Sequence, residues 1–266
     1  MDGDVTFAFL LTTLAGLSTG IGAAIAFFAK KTNFNILSTA MGFSAGVMIY
    51  ISFVELLPEG MHAVSQSIGE YQAGWLVTGM FFAGMMITAL IDKMVPSFGN
   101  PHEFEKGDEP SSEEAEYKQL YRMGLFTALI IGIHNFPEGI ATFMGSLKDP
   151  KMGISIAIAV AVHNIPEGIA VSTPIFYATG NKKKAFWLSL TSGLAEPVGA
   201  FVAYLFLRNY LDDLVFGLVF AFIAGIMVFI SFDQLLPAAQ KYGSHHRSLY
   251  GLIAGMAIMA ISLLIT

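Results

Sequence analysis

Long apolar runs separated by short polar connections fill the sequence from one end to the other. Eight such runs lie near residues 5–29, 36–61, 72–92, 120–145, 152–178, 185–207, 211–239 and 248–266. Each run is long enough to cross the hydrocarbon core of a bilayer, and there only a helix satisfies all of its own backbone hydrogen bonds. The pattern therefore predicts an all-α integral membrane protein with eight transmembrane helices, organised as a single transmembrane domain over residues 1–266.

The distribution of Lys and Arg over the connections predicts how these helices are oriented. Of the 14 basic residues, 11 lie on the side of the connections between helices one and two, three and four, five and six, and seven and eight. Because basic residues accumulate on the cytoplasmic side, both termini should lie outside the cytoplasm. The longest cytoplasmic connection, residues 93–119, is acidic and contains Pro, Gly and Ser, which predicts a mobile loop. Its acids either keep the loop soluble or, together with His102, collect metal ions.

Composition excludes several classes of function. Charged residues make up 13% of the chain, against about 25% in soluble domains, so there is no room for a sizeable soluble domain. A net charge of -6 without a basic patch argues against nucleic acid as a partner. The chain contains no cysteine, which excludes thiolate metal sites and leaves His, Asp, Glu, Asn and Met as candidate ligands.

Two internal repeats connect distant helices. The segment AGVMIYISFVELLPEG at 45–60 aligns with AGIMVFISFDQLLPAA at 224–239, with identity at nine of 16 positions, and IGIHNFPEGIA at 131–141 resembles VAVHNIPEGIA at 160–170. In each pair the two copies belong to helices that cross the membrane in opposite directions. The repeats therefore predict a pseudo-two-fold axis in the membrane plane, as in many secondary transporters.

Polar side chains in the middle of the predicted helices are the main indication of function, because a charge there costs roughly 2.5–3.5 kcal/mol. His134 and Glu138 share one helix face, and His163 and Glu167 share another. The candidate metal ligands near the midplane are Met48, His134, Asn135, Glu138, His163, Asn164, Glu167 and Glu196. Such a mixture of nitrogen, oxygen and soft sulfur suits Zn²⁺, Fe²⁺, Mn²⁺ or Co²⁺ better than Na⁺, K⁺ or Mg²⁺.

Some of these side chains have a second interpretation. Met48 is either a ligand or a packing residue, and Asn135 and Asn164 either bind metal or hydrogen-bond across helices. Charged groups nearer the two membrane surfaces could form a cation pathway or simply reach water. They are Glu55, Glu59 and His62 toward the outside, and Asp92 and Asp233 toward the cytoplasm.

Proline and glycine predict local distortions around the two repeated motifs. Pro137 and Pro166 should kink helices four and five, and Gly139 and Gly168 should allow these two helices to approach each other closely. Helices two, six and seven should break at Pro58, Pro197 and Pro237.

The motifs HNFPEG and HNIPEG, with AGVMIYISFVELLPEG before them and GLAEPVGA after, resemble the ZIP (Zrt/Irt-like) family of divalent metal transporters over essentially the whole chain. The compact form, with both motifs beginning in His, resembles the bacterial ZupT group of that family. The resemblance implies a 3+2+3 inverted repeat, a homodimer and import toward the cytoplasm. It also implies a paired-metal site in which Glu138 and Glu167 bridge two ions. One ion would be held by Met48, His134, Glu138 and Glu167, and its neighbour by Asn135, Glu138, His163, Glu167 and Glu196. Some relatives have an acid where this chain has His163, so the resemblance does not fix the metal preference.

We therefore predict a transporter and not an enzyme. It would import Zn²⁺, Fe²⁺, Mn²⁺ and Co²⁺, with Cd²⁺ as a further candidate, across the bacterial cytoplasmic membrane, with broad selectivity. Helices four and five would move against the outer repeats to give alternating access. A static selective channel is the alternative within this class, and an intramembrane zinc hydrolase built on the His-x-x-x-Glu faces is the alternative from another class. Since the sequence has no P-loop, the driving force would be the metal gradient, the membrane potential or protons.

Overall fold

The computed structural model describes residues 4–27, 34–94, 113–207, 212–242 and 245–265, and in these residues the chain forms eight long helices. Three of them consist of consecutive segments. The helices are α1 (Val5–Ala26), α2 (Phe34–Ile51, Ser52–Leu56 and Leu57–Ile68), α3 (Glu70–Met94), α4 (Glu113–Lys148), α5 (Pro150–Thr179), α6 (Lys182–Gly193, Ala195–Val202 and Ala203–Leu207), α7 (Asp213–Ile230, Ser231–Leu235 and Leu236–Tyr242) and α8 (His245–Ile265).

Seven of these helices are long and apolar enough to cross a membrane, which makes the chain an all-α integral membrane protein. The helix outside this set is α4, which carries charged residues in its first turns and the HN-x-PEG motif at its centre. The sequence prediction was wrong for residues 113–119, which belong to α4 and not to a loop. Residues 93–94 of the predicted acidic loop belong to α3. Its remaining residues, 95–112 with His102, lie outside the described residues.

A π-helical turn occurs at the same place in each copy of the longer repeat. The turns are Ser52–Leu56 in α2 and Ser231–Leu235 in α7. The backbone N–H of Leu57 donates to the carbonyl of Ser52, five residues earlier, and Leu236 donates to Ser231 in the same way. The two copies therefore share a backbone irregularity as well as a sequence.

These π-helical turns replace the breaks that the sequence predicts at Pro58 and Pro237. Each proline lies two residues after the end of its turn, and the helix continues beyond it. Proline lacks the N–H of an α-helical bond and crowds the carbonyl four residues earlier, so a wider turn before it relieves the crowding without ending the helix. By contrast, α4 and α5 run through Pro137 and Pro166 without a change of helix type.

Among the described parts of the three helices that the sequence predicts to break, α6 alone is interrupted by a residue outside any helical segment. Its first segment ends at Gly193, Leu194 forms the turn, and its second segment begins at Ala195. This interruption places Glu196 in the first turn of a new helical segment, where anionic groups are favoured by the backbone dipoles.

The helices pack as two groups of four. One group contains α1, α4, α5 and α6, and the other contains α2, α3, α7 and α8, with α2 also packing against α5. The glycines of the repeated motifs do allow close helix packing, but with other partners than the sequence predicts. A Cβ atom at Gly139 would collide with the backbone of Glu196 in α6, and one at Gly168 would collide with the backbone of Thr19 in α1. Each motif is therefore fixed against a third helix.

Candidate metal centre

The two HN-x-PEG motifs face each other at the contact between α4 and α5. Because these helices are antiparallel, His134 of one motif lies level with Glu167 of the other, and Glu138 lies level with His163. His134 Nε2 is 3.1 Å from Glu167 Oε1, and His163 Nε2 is 3.2 Å from Glu138 Oε2. All four side chains are buried. The structure therefore pairs each imidazole with the acid of the opposite motif, not with the acid on its own helix.

Two amides connect the motifs to the neighbouring helices of the same group. Asn135 Nδ2 donates to the carbonyl of Ser192 in α6 at 3.2 Å, and Asn164 Nδ2 donates to the carbonyl of Ala15 in α1 at 3.0 Å. Asn164 Nδ2 also donates to Glu196 Oε1, which brings the third buried acid to the edge of the pair of motifs. Both amides thus make hydrogen bonds across helices through their nitrogen atoms, and metal binding, the other interpretation of these residues, stays a prediction for their oxygen atoms.

A set of buried polar atoms around the motifs makes no hydrogen bond to any of the described residues. They are Nδ1 of His134, Oδ1 of Asn135, Oε1 of Glu138, Oδ1 of Asn164, Oε2 of Glu167 and Oε2 of Glu196. Leaving a buried donor or acceptor unsatisfied costs about 1–3 kcal/mol, and more for a charged group, so such a concentration calls for an explanation. Imidazole nitrogen with carboxylate and amide oxygen is a donor set that fits a divalent transition metal.

The side chains are not already arranged around a metal position. Within the described part of the chain, no group of three or more His, Asp or Glu residues could hold an ion as it stands. In this arrangement Glu138 and Glu167 each direct one oxygen to an imidazole. A metal would have to replace the imidazole at these oxygens or bind through the oxygens that remain unpaired.

The two histidines have different surroundings. His163 Nδ1 is 3.1 Å from the carbonyl of Ala159, which can only accept, so this nitrogen carries a proton. Nε2, which faces Glu138, is the atom through which His163 would bind a metal once it leaves the acid. Metal-binding histidines commonly have such a carbonyl partner, which fixes the ring orientation. His134 Nδ1 makes no hydrogen bond to the described residues. The two motifs therefore differ at Nδ1 of the imidazole, which contacts a backbone carbonyl in His163 and no described residue in His134.

Helix α2 brings a further residue to the motifs, and the sequence analysis missed it. Ser44 is buried and donates from Oγ to Glu167 Oε1 at 2.9 Å. Met48 follows one helical turn later, so it shares this face of α2, and it is fully buried. A serine in an apolar helix carries no charge and breaks no pattern, and its position one turn from Met48 was the only available sign.

The candidate pathway residues are not part of this cluster. Glu55 lies in the π-helical turn of α2, Glu59 is half-buried in the turn that follows, and His62 is exposed. Asp233 is half-buried in the π-helical turn of α7. On α3, Asp92 accepts a hydrogen bond from Gln234 Nε2 at 3.2 Å.

Comparison with known proteins identifies one family. The family model described as "ZIP Zinc transporter" matches residues 93–263. Among curated relatives, a zinc transporter ZupT of Lysinibacillus sphaericus is 58% identical over 267 residues, which is 100% of this chain and 99% of the relative. Proteins of the same name from Oceanobacillus iheyensis and Clostridium perfringens are 56% and 53% identical, over 98% of this chain and 98% and 96% of their own lengths. The similarity thus extends from end to end and is not confined to the motifs.

Proposed function

This chain belongs to the ZIP family of zinc transporters, and from that premise we propose that it imports divalent transition metal ions, zinc among them, through a centre formed by the two HN-x-PEG motifs. One observation carries the proposal. Two His–Glu pairs lie inside an apolar protein, surrounded by buried oxygen and nitrogen atoms without protein partners. A structural ion pair is stable when its remaining polar atoms are hydrogen-bonded within the protein. A transport site instead needs polar atoms that stay unpaired until the ion binds.

The proposed centre holds two ions, with Glu138 and Glu167 as bridging ligands. The first ion takes Met48, His134, Glu138 and Glu167, and the second takes Asn135, His163, Glu196 and the same two acids, with Asn164 Oδ1 beside them. An incoming ion displaces the imidazoles from the two acids, because a carboxylate is attracted more strongly to a dication than to an imidazole. The displaced imidazoles then bind the ion. With no thiolate in the chain, the ligands are weak enough to release the ion, which favours broad selectivity over Zn²⁺, Fe²⁺, Mn²⁺, Co²⁺ and Cd²⁺.

The proposed mechanism is alternating access between the two groups of helices. The ion enters past Glu59 and Glu55, binds at the centre and leaves toward Asp233. The sequence suggests that α4 and α5 move, and the packing extends this unit to α1 and α6, which are held to the motifs by glycine contacts and by the Asn135 and Asn164 hydrogen bonds.

The proposal includes the predicted topology. It has eight crossings with α4 as the eighth, a 3+2+3 inverted repeat, and both termini outside the cytoplasm. The matching π-helical turns of α2 and α7 support the repeat. In each copy the serine that opens the turn donates to the carbonyl of a buried methionine at 2.7 Å, from Ser52 to Met48 and from Ser231 to Met227. The single transmembrane domain and the homodimer remain predictions.

Transport in liposomes tests the function. Purified protein in sealed vesicles should accumulate Zn²⁺ in a saturable manner, and Fe²⁺, Mn²⁺, Co²⁺ and Cd²⁺ should compete with it. Turnover well below diffusion-limited rates indicates a carrier, whereas ion flux at near-diffusion rates indicates the static channel. Hydrolysis of lipid or peptide without metal movement would overturn the proposal in favour of the hydrolase.

Replacing Met48 by Ala should change which metal is preferred. The substitution removes the soft sulfur ligand proposed for the first ion and leaves only nitrogen and oxygen, which should lower the preference for Cd²⁺ relative to Mn²⁺ by roughly tenfold. Competition assays in the same liposomes measure this ratio. Met227→Ala, at the matching position of α7, removes an equally buried methionine and serves as the control. Equal preference ratios in the two variants would assign Met48 to packing.

A further inference from the structure

The serine and threonine hydroxyls of this protein mostly bond within their own helix. Thr12, Ser52, Thr88, Ser146, Ser172 and Ser231 each donate to the carbonyl four residues earlier. This local bond is the usual partner of a hydroxyl in a helix, since it needs no other element. Ser44 departs from the pattern, because its hydroxyl leaves α2 and donates to a carboxylate of α5.

The acceptor of this bond belongs to the proposed centre. Glu167 Oε1 receives Ser44 Oγ at 2.9 Å and also lies 3.1 Å from His134 Nε2, while Glu167 Oε2 makes no hydrogen bond to the described residues. When an ion binds at Oε2 and draws His134 away from the acid, Ser44 is the partner that can remain at Oε1. One oxygen would then be held by the hydroxyl and the other presented to the ion.

The internal repeat does not require a serine here. Ser44 directly precedes the first copy of the longer repeat, and the residue that precedes the second copy is Ile223, which cannot donate a hydrogen bond and is buried in the core. Both glycines that flank Ser44, Gly42 and Gly46, lie against the backbone of α8. They hold α2 on α8, so the serine between them serves neither that contact nor the local helix bond.

We propose that Ser44 is a positioning residue for metal transport, which orients the Glu167 carboxylate toward the bound ion from the opposite group of helices. This inference rests on the proposed function. Ligating carboxylates are usually held by such outer hydrogen bonds, and loss of one typically lowers metal affinity 10–100-fold. Ser44 keeps its proton when it donates this hydrogen bond to Glu167, so the bond forms without changing the charge of any metal ligand.

The test compares two serine variants of the same helix. Ser44→Ala removes the bond to Glu167. Ser38→Ala removes an equally buried bond, from Ser38 Oγ to the carbonyl of Ala239 at 2.6 Å, which joins α2 to α7 away from the centre. Zn²⁺ uptake into liposomes gives KM and maximal rate, and calorimetric Zn²⁺ titration of the detergent-purified protein gives Kd.

Ser44→Ala should raise both KM and Kd for Zn²⁺ by about tenfold or more, with a smaller change in maximal rate, and Ser44→Thr, which keeps the hydroxyl, should restore most of the affinity. Ser38→Ala should leave KM and Kd near the wild-type values. If Ser44→Ala binds Zn²⁺ like Ser38→Ala while the wild-type protein transports, the positioning role is wrong and the proposed function stands. If the wild-type protein itself neither binds nor transports metal, the proposed function fails.

Discussion

Glu167→Ala should abolish metal uptake while the protein still reaches the membrane. The substitution removes a ligand proposed to bridge both ions, and it leaves His134 and Ser44 without their common acceptor. Loss of an outer partner of a ligand already costs up to about 100-fold in metal affinity, so loss of a bridging ligand should cost at least as much. Zn²⁺ uptake into liposomes containing equal amounts of folded protein measures the effect.

Two further variants separate this chemistry from damage to the fold. Glu167→Gln keeps the size and one acceptor oxygen of the side chain but not its charge, and it should also fail to transport. Glu70→Ala removes an exposed acid at the start of α3 and should transport like the wild type. Transport by the Gln variant above roughly a tenth of the wild-type rate would show that no bridging carboxylate is needed at this position.

Gly139→Ala should strongly disturb the centre, although it adds only one methyl group. The three heavy atoms nearest to the new Cβ would all be backbone atoms of Glu196, too close for any real Cβ contact. Backbone cannot rotate away as a side chain can, so α6 must shift and carry Glu196 with it. We expect a loss of about 1–3 kcal/mol in stability, measurable as a lower Tm in detergent, and a marked loss of Zn²⁺ uptake.

Gly132→Ala is the matched control, because it lies on the same helix and faces the same neighbour. Its added Cβ would lie 3.8 Å from the Cα atom of Ser192, an ordinary contact. Alanine is favoured over glycine in a helix by up to about 1 kcal/mol, so this variant should keep or slightly raise the Tm and transport normally. Equal Tm values and equal uptake for the two variants would show that α4 and α6 are not in close backbone contact at Gly139.

The positions of the helices could be predicted from the sequence because long apolar runs that cross a bilayer form helices. The predicted run at 72–92, for example, corresponds to α3 at Glu70–Met94. Sharing of one face by His134 and Glu138 follows from helix periodicity. Even the crossed pairing of His134 with Glu167 is a consequence of the opposite directions of the two motifs, since antiparallel copies bring unlike ends together.

Features that depend on three-dimensional neighbours could not be predicted in this way. Gly139 was correctly recognised as a place of close approach, but which helix approaches it depends on the rotation of α4 about its axis, and the sequence alone does not determine that angle. Ser44 was missed because a hydroxyl adds almost nothing to a hydropathy pattern. The π-helical turns were missed because Pro58 and Pro237 are equally compatible with a break, a kink or a wider turn.

The wider turn at Ser52–Leu56 has a consequence for comparing this chain with its relatives. A π-helical turn contains one residue more than the α-helical turn it replaces, and each residue of an α-helix rotates the next by about 100°. Because the extra residue is taken up within this one turn, deleting it would leave α2 fully α-helical with Glu59 and His62 on about the same face, whereas a deletion elsewhere in the helix would rotate every later residue by about 100°. A one-residue gap in a sequence alignment at this position would therefore mark loss of the wider turn, with the side chains on either side of it keeping their directions.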